Sequence, residues 1–263
     1  MRMIDESKKI IQYIKENGNI NNIDIDWESL GCTDSDDMSI MHNCFQKMDQ
    51  YGILEYDKKL QKIKFDIGKI SLYESFYCLR IELEQLLSFL YQLYRDTCTV
   101  EHFKKVMSTT SISRNMVIDL IYNFISTVVI GINKVLIDSN GKYNIELISS
   151  RVGKFLKDIN MDADLYKKEK KLFSKEKKEL DSSITTFNDF RDEFFAHSDQ
   201  NSQLKIQDVN VNEMVKILEL CINYCVKLIN MIDDKKISYE NMKKELHLLD
   251  LESNYFASLT IRK

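Results

Sequence analysis

Phe190-Arg191-Asp192-Glu193-Phe194-Phe195-Ala196-His197-Ser198-Asp199 sets an arginine, a carboxylate and one of only four histidines in a helical context. Arg191 and His197 enclose five residues, with Asp192 directly after the arginine, Ala196 directly before the histidine and Asp199 two beyond it. Arginine donates paired hydrogen bonds to a phosphate, and histidine, titrating near neutrality, moves a proton in either direction. A reaction at a phosphate needs proton transfer to and from oxygen and positive charge where negative charge develops. The pattern therefore casts His197 as general acid/base, Arg191 as the transition-state clamp and Asp192 as the residue that orients it. The competing structural reading pairs Arg191 with a neighbouring acid and makes His197 a helix C-terminal cap.

Geometry constrains that reading. Six helical steps of about 100° leave Arg191 and His197 roughly 120° apart around an ideal helix. Either the helix ends near Ala196, where a polar Ser-Asp-Gln-Asn-Ser run begins, or two protomers contribute to one site. One histidine in the stretch also leaves the acid and base roles short-handed, which a symmetric pair would remedy.

Working outward, a helix over Leu165 to Leu180 carries alternating lysines and glutamates, and Lys170, Lys171, Lys175 and Lys178 are candidates to hold an RNA backbone. The same run also reads as a solvated helix face. Arg114 to Ile137 is apolar on most of its circumference, so it is expected to be the central, most buried helix, closed by the Asp138-Ser139-Asn140-Gly141 turn. Asp119, Asn123, Asn133 and Lys134 interrupt it, which favours a core helix over a membrane span. Val211 to Ile232 repeats apolar residues every three or four positions and is expected to pack on the central helix. Leu72 to Tyr94 forms another core stripe; Asp96 to Ser113 reads as more loop than element, with room for a short turn around His102 to Met107 and His102 as a structural residue; and Tyr239 to Leu251 reads as the last helix.

The first 68 residues follow a different pattern. An amphipathic helix over 7–17 places Ile10, Ile11 and Ile14 inward. An extended Ile20 to Ile25 and a short Trp27-Glu-Ser-Leu30 helix lead to a longer helix capped by Asp34 to Asp37. Alternation at Leu54 and Tyr56, an Asp57-Lys58-Lys59 turn, and Ile63, Phe65 and Ile67 then predict a hairpin. This order is that of a winged helix. In a DNA-binding version Ser39, His42, Asn43, Gln46 and Lys47 would read bases in the major groove, although three aspartates at the helix start would face phosphates badly. In an interaction module His42 is simply a solvated surface residue.

Composition limits the remaining classes. The 263 residues are 44% hydrophobic and 30% charged, with a net charge of −4, so any nucleic-acid contact must come from a local patch. Zero prolines, against an average usage of about 5%, favour long uninterrupted helices. The six cysteines are too dispersed for a zinc site and contain no Cys-x-x-Cys, so they read as reduced thiols, and neither a metal nor a cofactor is expected. No apolar run is clean enough to span a bilayer and no signal-like segment opens the sequence, so the expected compartment is the cytoplasm. Cys221 and Cys225 fall on an apolar stripe and read as core.

With these elements in place, the chain resembles the HEPN superfamily, and most nearly its abortive-infection AbiU-like branch. The resemblance rests on Arg191-Asp192-x4-His197 and on the long Leu120 to Asp138 helix followed by Asn144-Ile-Glu-Leu147, and it covers about residues 70–235. It implies a mostly α fold: a HEPN-like helical bundle over 69–263, preceded by a small winged-helix-like α+β module over 1–68. It further implies a metal-independent endoribonuclease of phage defence or a toxin, with motifs paired across a homodimer, RNA as substrate, a regulatory or antitoxin protein as possible partner, and no membrane. The alternatives are a non-catalytic HEPN-like binding scaffold and a winged-helix DNA-binding regulator.

Overall fold

A computed structural model of the chain describes residues 9–10, 12–16, 23–50, 54–65, 70–107, 114–161, 163–196, 209–232 and 237–261. The chain divides into two compact units, one of residues 1–81 with 154–162, the other of residues 82–153 with 163–263. The first contains a small α+β module, and helices dominate the rest.

In that module, residues 9–10 and 12–16 are helical and bury Ile10 and Ile14, while Ile11 lies outside the described residues. Strand β1 (Ile23–Asp24) adds antiparallel to β3 (Lys62–Phe65), which pairs in turn with β2 (Leu54–Asp57), giving a three-stranded sheet of order β1-β3-β2. The Asp57 carboxylate accepts the backbone N–H groups of Lys59 and Leu60, which fixes the hairpin turn. Helix α1 (Ser35–Gln50) begins where Asp34 accepts the N–H of Asp37 at 2.8 Å, an N-cap, and it buries Met41, Cys44, Phe45 and Met48. Trp27 to Leu30 forms a single turn rather than the expected short helix: the Asp26 carboxylate takes the N–H groups of Glu28 and Ser29 as a helix cap does, and Gly31, at φ 72°, stops the helix after that turn.

Helix α2 (Ile70–Met107) corrects the expectation of a loop from Asp96 onward. The polar residues there bond back into their own helix, Thr97 to the Leu93 carbonyl at 2.8 Å and Thr99 to that of Arg95 at 2.9 Å, so polarity and helix coexist. The central helix α3 (Arg114–Leu136) packs against α6 (Asp181–Ala196) and α7 (Val211–Ile232). Val117–Leu136 is long and apolar enough to cross a bilayer by length and composition, and its packed face carries the buried Asn133. It is not the most buried helix that its composition predicts: Val211–Ile232 buries a larger share of its residues. Gly131 lies against Leu93, where an added Cβ would stand 2.5 Å from Cδ1, so α2 and α3 meet at a glycine.

Helix α4 (Ile145–Asp158) starts at Asn144, whose carbonyl oxygen caps Leu147 at 2.8 Å. Helix α5 (Asp164–Glu179) buries Tyr166 and Phe173 and packs on α7 through a stack of Phe173 on Tyr224, 4.2 Å apart and 10° from parallel. The single residue Leu180 joins α5 to α6. The last helix, α8 (Tyr239–Ile261), runs ten residues beyond its expected end and docks on α2, with Ser253 Oγ donating to the Arg95 carbonyl. Its Asp250 also pairs with His102 at 2.9 Å. Cys221 and Cys225 are buried on α7 as expected, and burial pushes the Cys221 thiol up to about 12.

Candidate functional site

Helix α6 positions the arginine. Ile184 and Phe187 anchor its inward face against α3 at 4% and 2% exposure. Arg191, four residues after Phe187, continues along that face and emerges half-buried at the edge of the packed region. Thr186 returns its hydroxyl to the Ser182 carbonyl, and Ser183 donates to Glu213 of α7 at 3.2 Å, so the first half of α6 is tied both to itself and to its neighbour.

The Arg191 guanidinium is held by the adjacent carboxylate. Nε and Nη2 both donate to Asp192 Oδ1, at 2.9 and 2.6 Å, while Nη1 takes no partner among the described residues. Asp192 is well exposed, and its second oxygen takes no donor among the described residues. An arginine restrained through Nε and Nη2 can meet an anion through its remaining N–H groups without losing its orientation. Helix α6 has Ala196 as its last residue, and His197 and Asp199 lie outside the described residues. Arg191 and Asp192 are thus brought together, and His197 follows at the next position in the chain.

The candidate lysines lie on α5, directly before α6. Lys171, Lys175 and Lys178 are exposed, on the side away from Tyr166 and Phe173. Lys175 stands 3.9 Å from Glu179, a loose pair at the surface. Lys170 lies 5.8 Å from the centre of the Tyr166 ring and is partly covered. Lys177, which the sequence does not separate from the others, is structural: it donates to Glu146 at 2.6 Å and to the Leu136 carbonyl at 3.3 Å.

The residues proposed for base reading do not form one set. Ser39, Asn43 and Gln46 are exposed on α1, and Lys47 belongs to the same helix. His42 departs from the expectation of a solvated residue. Its ring is half-buried, edge-on to Trp27 at 4.7 Å, and its Nδ1 is hydrogen-bonded to the Tyr56 hydroxyl. Burial, then the charge of Lys58, holds the imidazole below its ordinary range, and burial pushes the Tyr56 hydroxyl up to about 12. The cause is the hairpin, which brings Tyr56 across α1, a contact that periodicity on α1 alone cannot reveal.

Sequence reasoning also missed Asn133. It is 2% exposed on α3 and donates to the Val129 carbonyl at 2.9 Å and to the Phe187 carbonyl of α6 at 3.3 Å. An asparagine beside Ile132, Val135 and Leu136 was the available signal, since a buried amide needs a reason. Among the described residues no group of three His, Cys, Asp or Glu side chains is close enough to hold a metal ion.

The helical bundle fits a protein of the HEPN type. The comparisons give the family: the model described as AbiU2, a HEPN family, matches residues 71–250, and the chain belongs to that family. It is accordingly an abortive-infection protein of the HEPN type. No curated protein and no solved structure matches the chain.

Proposed function

We propose that the chain is a metal-independent endoribonuclease acting in phage defence or as a toxin, with one composite active site built by a homodimer. The observation that carries this reading is the Arg191 guanidinium, held by Asp192 through Nε and Nη2, six residues before His197 in the sequence. In the proposed reaction the His197 of one protomer removes the 2′-hydroxyl proton. The oxygen attacks the adjacent phosphorus, and the protonated His197 of the partner supplies the proton to the departing 5′-oxygen. The two Arg191 side chains hold the phosphorane oxygens as their charge grows. Lys170, Lys171, Lys175 and Lys178 on α5 would hold the RNA backbone leading into that cleft, and a regulatory or antitoxin protein would restrain the activity in the cytoplasm. The functional modules are residues 1–68 and 69–263.

The test is cleavage of tRNA and mRNA by purified protein in EDTA. His197→Ala and Arg191→Ala are each expected to reduce the rate by at least about 100-fold, the scale for removing one transition-state contact. Cleavage unchanged by both substitutions refutes the mechanism, and a sedimentation analysis showing only monomer at active concentrations refutes the composite site.

A second reading, a regulator that binds duplex DNA through residues 1–68, is supported by the exposed Ser39, Asn43 and Gln46 on α1. It predicts duplex binding that weakens with salt and is lost on replacing Asn43, Gln46 or Lys47. Binding indifferent to those substitutions excludes it.

A further inference from the structure

Arg95, Asp96 and Thr99 of α2, Phe124 of α3, and Glu252, Ser253 and Phe256 of α8 enclose a cavity of about 280 Å³ in the larger unit. Asp96 is only 5% exposed, and its sole hydrogen-bond partner among the described residues is the neutral Gln92 amide, which donates to Oδ1 at 2.8 Å. The hydroxyls nearby are committed elsewhere. Thr99 Oγ1 donates to the Arg95 carbonyl, and Ser253 Oγ serves the carbonyls of Arg95 and Leu249. The adjacent guanidinium of Arg95 gives Nη2 to Gln92 Oε1 at 2.6 Å, so the glutamine bonds to both residues. Asp96 Oδ2 has no hydrogen-bond donor among the described residues, and burial pushes the carboxyl above its ordinary range, against the opposing pull of Gln92 and of the Arg95 charge.

The other walls select what fits such a carboxylate. Phe124 and Phe256 supply aromatic faces, both braced by the fully buried Phe103 at 6.4 and 6.1 Å. Glu252 adds a second carboxylate at the rim, giving two acids against the one guanidinium of Arg95. A buried acid that shares one guanidinium with a second carboxylate, beside ring faces, matches a cation with a short apolar body.

We propose that this cavity binds a small aliphatic amine, its primary ammonium donating to Asp96 Oδ2 and its methylenes lying against Phe124 and Phe256. The site uses none of the residues assigned to RNA cleavage.

The test is a calorimetric titration of the full-length chain with 1,4-diaminobutane, with 1,4-butanediol as the uncharged match in shape. The expected result is saturable binding of one diamine per chain and no binding of the diol. Asp96→Asn keeps the acceptor for Gln92 and removes the charge, and is expected to weaken diamine binding about 10–100-fold. Phe256→Ala, at a position 48% exposed, tests the site without placing the core at risk and is expected to weaken binding about 2–5-fold. Absence of saturable diamine binding, equal binding of the diol, or unchanged affinity in folded Phe256→Ala and Asp96→Asn overturns the proposal.

Discussion

Gly153→Ala is expected to destabilise the bundle even though alanine favours helix over glycine. Gly153 lies in α4 beneath the ring of Tyr166 on α5, and a Cβ added there would stand 2.5 Å from Cζ and 2.8 Å from the hydroxyl oxygen. Carbon atoms in good contact sit about 3.5–4.0 Å apart, so roughly 1 Å of overlap must be relieved. The ring has little room to move. It is 8% exposed, its hydroxyl lies 3.4 Å from Ser149 Oγ one helical turn away, and Ser149 is itself bonded to Tyr224 at 2.6 Å. Overpacking of this kind costs about 1–3 kcal/mol, while exchanging glycine for alanine within a helix returns about 1 kcal/mol. The net loss is about 1 kcal/mol, with an upper bound near 2 kcal/mol, which lowers Tm by about 2–8 °C for a domain of this size. Thermal unfolding followed by circular dichroism reads it, with Ser150→Ala, on the exposed side of the same helix, as the reference. Tyr166→Leu in the Gly153→Ala background is expected to recover part of the loss, a favourable coupling that a double-mutant cycle isolates. A rise in Tm on Gly153→Ala would refute the close approach of α4 and α5.

His42 gives a pH dependence. Its folded-state value lies below the ordinary one near 6.5, so the folded module binds the proton less readily than the unfolded chain. The stability it contributes is present above about pH 6.5 and is lost as pH falls through the folded value; Trp27, the single tryptophan, reports unfolding by fluorescence, and His42→Gln is expected to flatten the dependence. For the lysines of α5, replacing Lys170, Lys171, Lys175 and Lys178 by glutamine is expected to reduce the slope of log K against log salt for single-stranded RNA by about 3, near 0.7 per lost phosphate contact. An unchanged slope removes α5 from the RNA path.

Much of the bundle was legible because its helices bury one continuous stripe each. Val211–Ile232 matches its apolar repeat end to end, and the turn at Asp138 to Gly141 closes where Asn-Gly predicts. The Arg191 and Asp192 pair was legible as well, being a contact between sequence neighbours. What escaped notice depended on side chains meeting across long separations. His102 finds Asp250 at 2.9 Å, and His42 finds Tyr56 only once the hairpin folds over α1. Asp96 to Met107 read as loop because its hydroxyls suggested solvent, whereas they spend their hydrogen bonds on the preceding turn of their own helix. Local pattern reports which residues want burial; it carries no record of which partner will share it.

The amide of Asn133 has a mechanical consequence for Arg191. In an α-helix the carbonyl four residues earlier receives each backbone N–H, so the Phe187 oxygen that Asn133 engages is also the main-chain acceptor for Arg191. One oxygen thereby joins the central helix to the residue that carries the guanidinium. Sliding α6 by a residue, or turning it about its axis, would break that shared junction in a dry interior where neither group finds a substitute. The arginine is therefore indexed to the bundle like a tooth on a keyed shaft: its height along the core is set from within α3, well away from the surface where it is exposed.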